Sequence, residues 1–132
     1  MTEVFNRALF LREYATGRRD FQGVNLRGVL LSETDLSGAN LAEALMAGTA
    51  LAAADLSEAN LQGTNLRGAD LAGAYLQRAN LTGADLRGAN LMGADLRGTT
   101  LESARLTAAD YDQHTMFPEG FNVTRAGLQR VG

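Results

Sequence analysis

The chain is 132 residues long, enough for one domain. It carries 15 acids against 12 basic residues, all of them arginine, and no cysteine, which excludes disulfides, thiolate nucleophiles and cysteine metal sites. With one histidine, His114, and no Gly-Lys-Ser/Thr run, there is no nucleophile–base constellation and no phosphate-gripping loop.

Residues 3–16, EVFNRALFLREYAT, read as a helix, with Thr2 as N-cap and Gly17 as the C-terminal stop. Val4, Phe5, Ala8, Leu9 and Leu11 make its apolar face, with Phe10 and Tyr14 to the side. Such a helix docks on a partner or plugs the open end of the segment after it. The plug is the expected role, because an uncovered parallel edge pairs with other chains.

From Leu26 to Leu106 every fifth residue is leucine, Met46 excepted. On a helix such residues step round the axis by about 140° and make no stripe. On a flat strand an odd spacing sends them to opposite faces. Both difficulties vanish if the chain turns a corner every five residues and four sides close a coil. Each unit then contains a turn Leu-X-Gly-Ala, with glycine at the third position, where a type II turn needs positive φ. Glu33, Glu43, Ala53, Glu58 and Arg78 hold that position instead, so these corners are expected to depart from type II geometry. Residues 39–60 are rich in helix formers, yet Leu41, Met46, Leu51 and Leu56 keep the register, which favours the coil.

The Ala-Asn/Asp-Leu-X-Gly units, preceded by Gly17, Arg19, Asp20 and Phe21, resemble the A(D/N)LXX pattern of the pentapeptide-repeat family. The resemblance implies an all-β solenoid, a right-handed quadrilateral parallel β-helix. The nineteen inward positions from Phe21 to Tyr111 make slightly under five coils. A single domain is expected, with an N-terminal capping helix in 1–19, the β-helix in 20–111 and an irregular C-terminal cap in 112–132. In that cap Phe117-Pro118-Glu119-Gly120 reads as a type I turn, and Met116, Phe117 and Phe121 are expected to fold over the last coil.

Residues twenty apart share a side, so surface columns can be read. Asn40, Asn60 and Asn80 could form an amide ladder, and Asp85 with Arg105 and Glu58 with Arg78 could form ion pairs. Arg27, Arg67 and Arg87 form a basic column interrupted by Ala47. It could grip an acidic partner, or it is a solvated face balanced by neighbours such as Asp85. Leu30, Leu45 and Ala50, with Ala47, Ala52 and Ala53 nearby, make an apolar patch that receives the N-terminal segment or serves as a docking surface.

The recurrent Asp and Asn reflect the repeat and not a metal site, and neither cofactor nor catalysis is expected. The preferred reading is a non-catalytic module that binds another protein. It is expected to be cytoplasmic, a monomer or weak homodimer, with no direct nucleic-acid or membrane binding. The resemblance implies an alternative. Some members of the family imitate B-form DNA and act on DNA gyrase, and residues 20–111 here carry 11 acids against 6 arginines. Arg67, Arg78, Arg87, Arg97 and Arg105 interrupt any continuous phosphate-like field.

Overall fold

The computed structural model describes residues 2–132. Its body is a parallel solenoid. Bridges join residues twenty apart in four columns, as in Asn40 to Asn60 to Asn80, Asn25 to Leu45 to Asn65, Leu30 to Ala50 to Asp70, and Asp35 to Asp55 to Tyr75. The first described helix, α1, spans Arg7–Ala15, and residues 39–60 follow the coil and not a helix.

One unit shows why five residues suffice. Leu66 N–H donates to Asp85 O (2.8 Å) and Gly68 N–H to Arg87 O (3.0 Å), both in the next coil. Asp70 N–H reaches back to Thr49 O (3.0 Å), and Ala69 N–H closes the corner on Leu66 O (3.0 Å). The fifth donor, Arg67 N–H, has no backbone acceptor; it donates to the side chain of Asn65 (3.1 Å). Every backbone donor of the unit is thereby placed, as a buried wall requires.

The leucines fill the interior. From Leu26 to Leu96 the central inward residues, Met46 included, are fully buried, and the small position is held mostly by alanine. Thr49 and Thr64 stand in for alanine by donating their hydroxyls to Leu26 O and Leu41 O (2.9 and 2.8 Å). Burying one leucine contributes on the order of 1.5–3 kcal/mol, against about 1–2 kcal/mol of backbone entropy for each residue ordered. A lone coil therefore does not fold; stacking is obligatory.

The corners correct one expectation. Glu33, Glu43, Ala53, Glu58 and Arg78 keep positive φ, between 58° and 61°, like the glycines at equivalent places. Only the third residue of each turn has positive φ, the type II pattern. The stacked neighbours fix the corner, and the side chain accepts the strain.

Both ends also differ from the sequence reading. The helix begins at Arg7, capped by Asn6, whose side chain accepts from Leu9 N–H (2.8 Å). Residues 3–5 are extended and add to the first coil: Asn25 N–H donates to Glu3 O (2.7 Å) and Phe5 N–H to Asn25 O (3.0 Å). Val4 and Ala8 face outward, while Phe10 is fully buried. Phe5, Phe10 and Phe21 pack together, and the Arg18 guanidinium lies 4.7 Å from the Phe21 ring centre while bonding Glu3 (2.7 Å).

At the other end the coil persists past Tyr111 with one extra residue, since Asp95 bridges Met116 at a separation of 21. The Asp112 carboxylate accepts Gly93 N–H (3.0 Å) where a backbone carbonyl serves elsewhere. The tail then wraps on, and strand β1 (Asp110–Tyr111) pairs in parallel with β2 (Gln129–Arg130). The turn closes from Phe121 N–H to Pro118 O (3.2 Å) with Gly120 at φ 77°. It lies one residue later than expected and repeats the corner pattern. Phe117 and Phe121 stack and cover the core, but Met116 is 41% exposed.

The corner geometry fixes the sign of two substitutions. Gly68 has φ +65° and open space where a Cβ would stand, so Gly68→Ala should destabilise by about 1 kcal/mol through the backbone alone. Ala53→Gly should stabilise by about 0.5–1 kcal/mol, left-handed strain relieved exceeding added unfolded-state freedom. Thermal unfolding should show Tm moving by a few degrees in opposite directions; equal signs would contradict the strained corner.

Candidate interaction surface

The outward residue before each leucine serves the fold in most units. An Asp or Asn there accepts the N–H two residues on, as from Asn25 to Arg27, Asn40 to Ala42, Asn60 to Gln62, Asn80 to Thr82 and Asn90 to Met92, at 3.0–3.1 Å. This replaces the expected amide ladder. The Asn40, Asn60 and Asn80 oxygens are taken within their own corners, and the side-chain rung in that column runs from Asn40 Nδ2 to Asp20 (3.1 Å). A local bond two residues away competes well against one across coils.

Leu30, Leu45 and Ala50 have given up this role. Among the described residues, Ser32, Ala47 and Ala52 N–H have no acceptor in the chain. Leu30 is 64% exposed, while Leu45 and Ala50 are half-buried. The three surround one edge of the rod. Leu45, Ala47 and Ala50 follow one coil across the corner, and Leu30 bridges directly to Ala50 from the coil before. Ala53 is exposed on the next corner, off this edge. The N-terminal segment does not cover the patch; it pairs at Asn25 with Val4 turned outward. Tyr75, 51% exposed where the repeat usually carries Asp or Asn, was not singled out from the sequence, although the same mismatch marks it.

The basic column is stacked as expected. Gly28 N–H bonds Ala47 O, Gly48 N–H bonds Arg67 O, and Gly68 N–H bonds Arg87 O, which sets Arg27, Ala47, Arg67 and Arg87 one above another. Their charges are not equivalent. Arg87 is tied to Asp85 at 2.7 Å, and Arg97 to Asp95 at 2.7 Å. Asp85 thus pairs within its own corner and not with Arg105. Glu58 and Arg78 do meet, at 3.5 Å, but both are exposed, so their pairing contributes little. Arg27 and Arg67 are exposed and make no ion pair among the described residues.

The hydrogen bond from Arg97 holds the nearly buried Asp95 carboxyl below its usual range, helped by Arg97 N–H and opposed by burial; Arg87 does the same for Asp85. His114, the residue that would have to act as a base, lies exposed in the tail, its N–H on Asp112 Oδ1 (3.0 Å). Among the described residues no helix is long and apolar enough to cross a membrane.

The sequence family described as Pentapeptide repeats matches in eight copies over residues 20–53, 34–73, 54–91 and 74–110. The chain belongs to the pentapeptide-repeat family. A pentapeptide-repeat protein from Nostoc PCC 7120, solved at 1.7 Å, is 43% identical over 99% of both chains, with a TM-score of 0.63. A pentapeptide-repeat protein of the Arabidopsis thaliana thylakoid lumen is 32% identical over 75% of this chain and 70% of its own, with a TM-score of 0.71. QnrB1, a plasmid-mediated fluoroquinolone resistance protein, is 16% identical over 86% of this chain and 68% of its own, with a TM-score of 0.49, a likeness too loose to bear on function. No curated protein matches the chain. These relatives are β-helix proteins, and the all-β solenoid read from the repeat stands.

In this pentapeptide-repeat protein the Asp95–Arg97 pair should be visible as acid sensitivity. The folded carboxyl titrates below its unfolded value, so its stabilisation is full above about pH 4 and is lost as pH falls further. Arg97→Gln should lower Tm at pH 6 and should lose less Tm than the parent between pH 4.5 and 2.5. Parallel Tm curves for the two proteins would remove the pair from the account.

Proposed function

We propose that this protein is a non-catalytic interaction module, a rigid rod that binds another protein through the edge formed by Leu30, Leu45, Ala47 and Ala50. One observation carries the reading. Leu30, Leu45 and Ala50 replace the corner-capping Asp or Asn and leave the N–H groups of Ser32, Ala47 and Ala52 without an acceptor among the described residues. Stability gains nothing from the exchange, since a capping bond is worth roughly 0.5–1.5 kcal/mol and exposed leucine is unfavourable in water. Residues held against the interest of the fold mark function. A cytoplasmic setting is part of the proposal. A monomer or weak homodimer is part of the same proposal.

A second reading, DNA mimicry directed at a topoisomerase, finds support in the carboxylate column of Asp35 and Asp55. Against it, Arg78 and Arg97 occupy the adjoining corner.

The test pairs stability with capture. Leu30→Asn with Leu45→Asn should raise Tm by a few degrees through restored caps, at about 0.5–1.5 kcal/mol each. The same variant should lose the proteins captured from a bacterial lysate by the immobilised parent chain. Unchanged capture would remove the patch from the function. Inhibition or protection of gyrase supercoiling at micromolar protein, unaffected by these changes, would favour the second reading instead.

A further inference from the structure

The same edge carries a second feature that constrains what can sit on it. Leu45, Ala47 and Ala50 run across the corner in one coil, and the coils on either side place Arg27 and Arg67 next to Ala47. The two arginines stand about 10 Å apart at the backbone, two strand spacings, with the smallest side chain of the column between them. Both are exposed and neither makes an ion pair among the described residues, whereas Arg87, next in the column, is neutralised by Asp85. Arg67 does reach Asp85 weakly, enough to help depress that carboxyl. Leu30 borders Arg27 from the adjoining side, and Asp70, which bridges Ala50, ends the patch.

The edge is therefore an apolar notch between two available guanidinium groups, and its complement is an apolar side chain between two carboxylates. We propose that the occupant is an acidic segment of a partner protein, in which one large apolar residue enters above Ala47 against Leu30 and Leu45 while flanking carboxylates meet Arg27 and Arg67. In an extended segment lying along the rod, acids four residues apart span about 13 Å, and the long arginine stems take up the difference. Arginine suits this role because its planar fork grips a carboxylate through two parallel hydrogen bonds. Direct nucleic-acid binding through the same arginines is disfavoured by the apolar centre, which offers a phosphate backbone nothing. This inference rests on the interaction-module reading and adds to it the chemistry of the partner.

A peptide array tests it with the full chain as probe. The spots carry nine-residue peptides in which two Glu flank Leu, Phe or Ser at separations of two to four residues, with Lys counterparts. At low ionic strength the expected signal is on Glu peptides with Leu or Phe at the centre, and it should fall with added salt. Arg27→Glu with Arg67→Glu should weaken it by at least about ten-fold. Ala47→Glu should do likewise by filling the notch with an internal carboxylate. Ala47→Arg should weaken it too, by closing the notch while adding positive charge, a loss that charge attraction alone does not produce, and the variant should keep the parent's Tm. Equal binding of Lys peptides, indifference to these substitutions, or no binding at all would overturn the proposal. If lysate capture survives Arg27→Glu with Arg67→Glu but is lost in Leu30→Asn with Leu45→Asn, the interaction module stands and the acidic occupant falls. If it survives both, the module reading fails as well.

Discussion

A corner every five residues has to satisfy its own hydrogen-bonding groups before anything else can be built on it. Three of the five backbone donors in a unit go to neighbouring coils, one closes the turn, and one is left for a side chain, as Leu66–Asp70 shows. The inward leucine is the hydrophobic half of this arrangement. The outward Asp or Asn is its polar half. Neither half folds alone, because ordering the five residues of a unit costs roughly 5–10 kcal/mol of backbone entropy, against roughly 1.5–3 kcal/mol from burying its leucine. Coils cooperate or do not form.

The constraint explains why the solenoid was legible in the sequence and why its details were not. The unbroken spacing from Leu26 to Leu106 is imposed by burial, so it survives even through segment 39–60, which is rich in helix-forming residues. Backbone conformation at the corners is imposed by stacking and not by the residue there, which is why Glu33 and Ala53 adopt a glycine's φ. Local propensity misled at the N-terminus for a related reason. Residues 3–5 look helical in isolation, but the open edge at Asn25 offers them backbone partners and takes them as a strand. The tail hides its coil behind one inserted residue near Asp112, which breaks the period of five.

The surface was harder to read because one position has two uses. An Asp or Asn column suggests ladders and charge pairing across coils, whereas most of those oxygens are committed within their own corner. The arginines divide in the same way, Arg87 and Arg97 held by neighbouring aspartates and Arg27 and Arg67 left available. What the sequence did mark was the exception. Leu30, Leu45 and Ala50 stand where a polar residue belongs, and the structure places them on one edge beside the available arginines. Tyr75 carries the same mark, alone in a column with Asp35, Asp55 and Asp95.

Amide hydrogen exchange on the folded protein, read residue by residue, tests this division between structural and functional outward positions most directly. Ala47 N–H should exchange fast in the parent chain and slow in Leu45→Asn, while Arg67 N–H, capped by Asn65, stays slow in both. An Ala47 amide already as protected as Arg67, or one left unchanged by the new asparagine, would contradict the account.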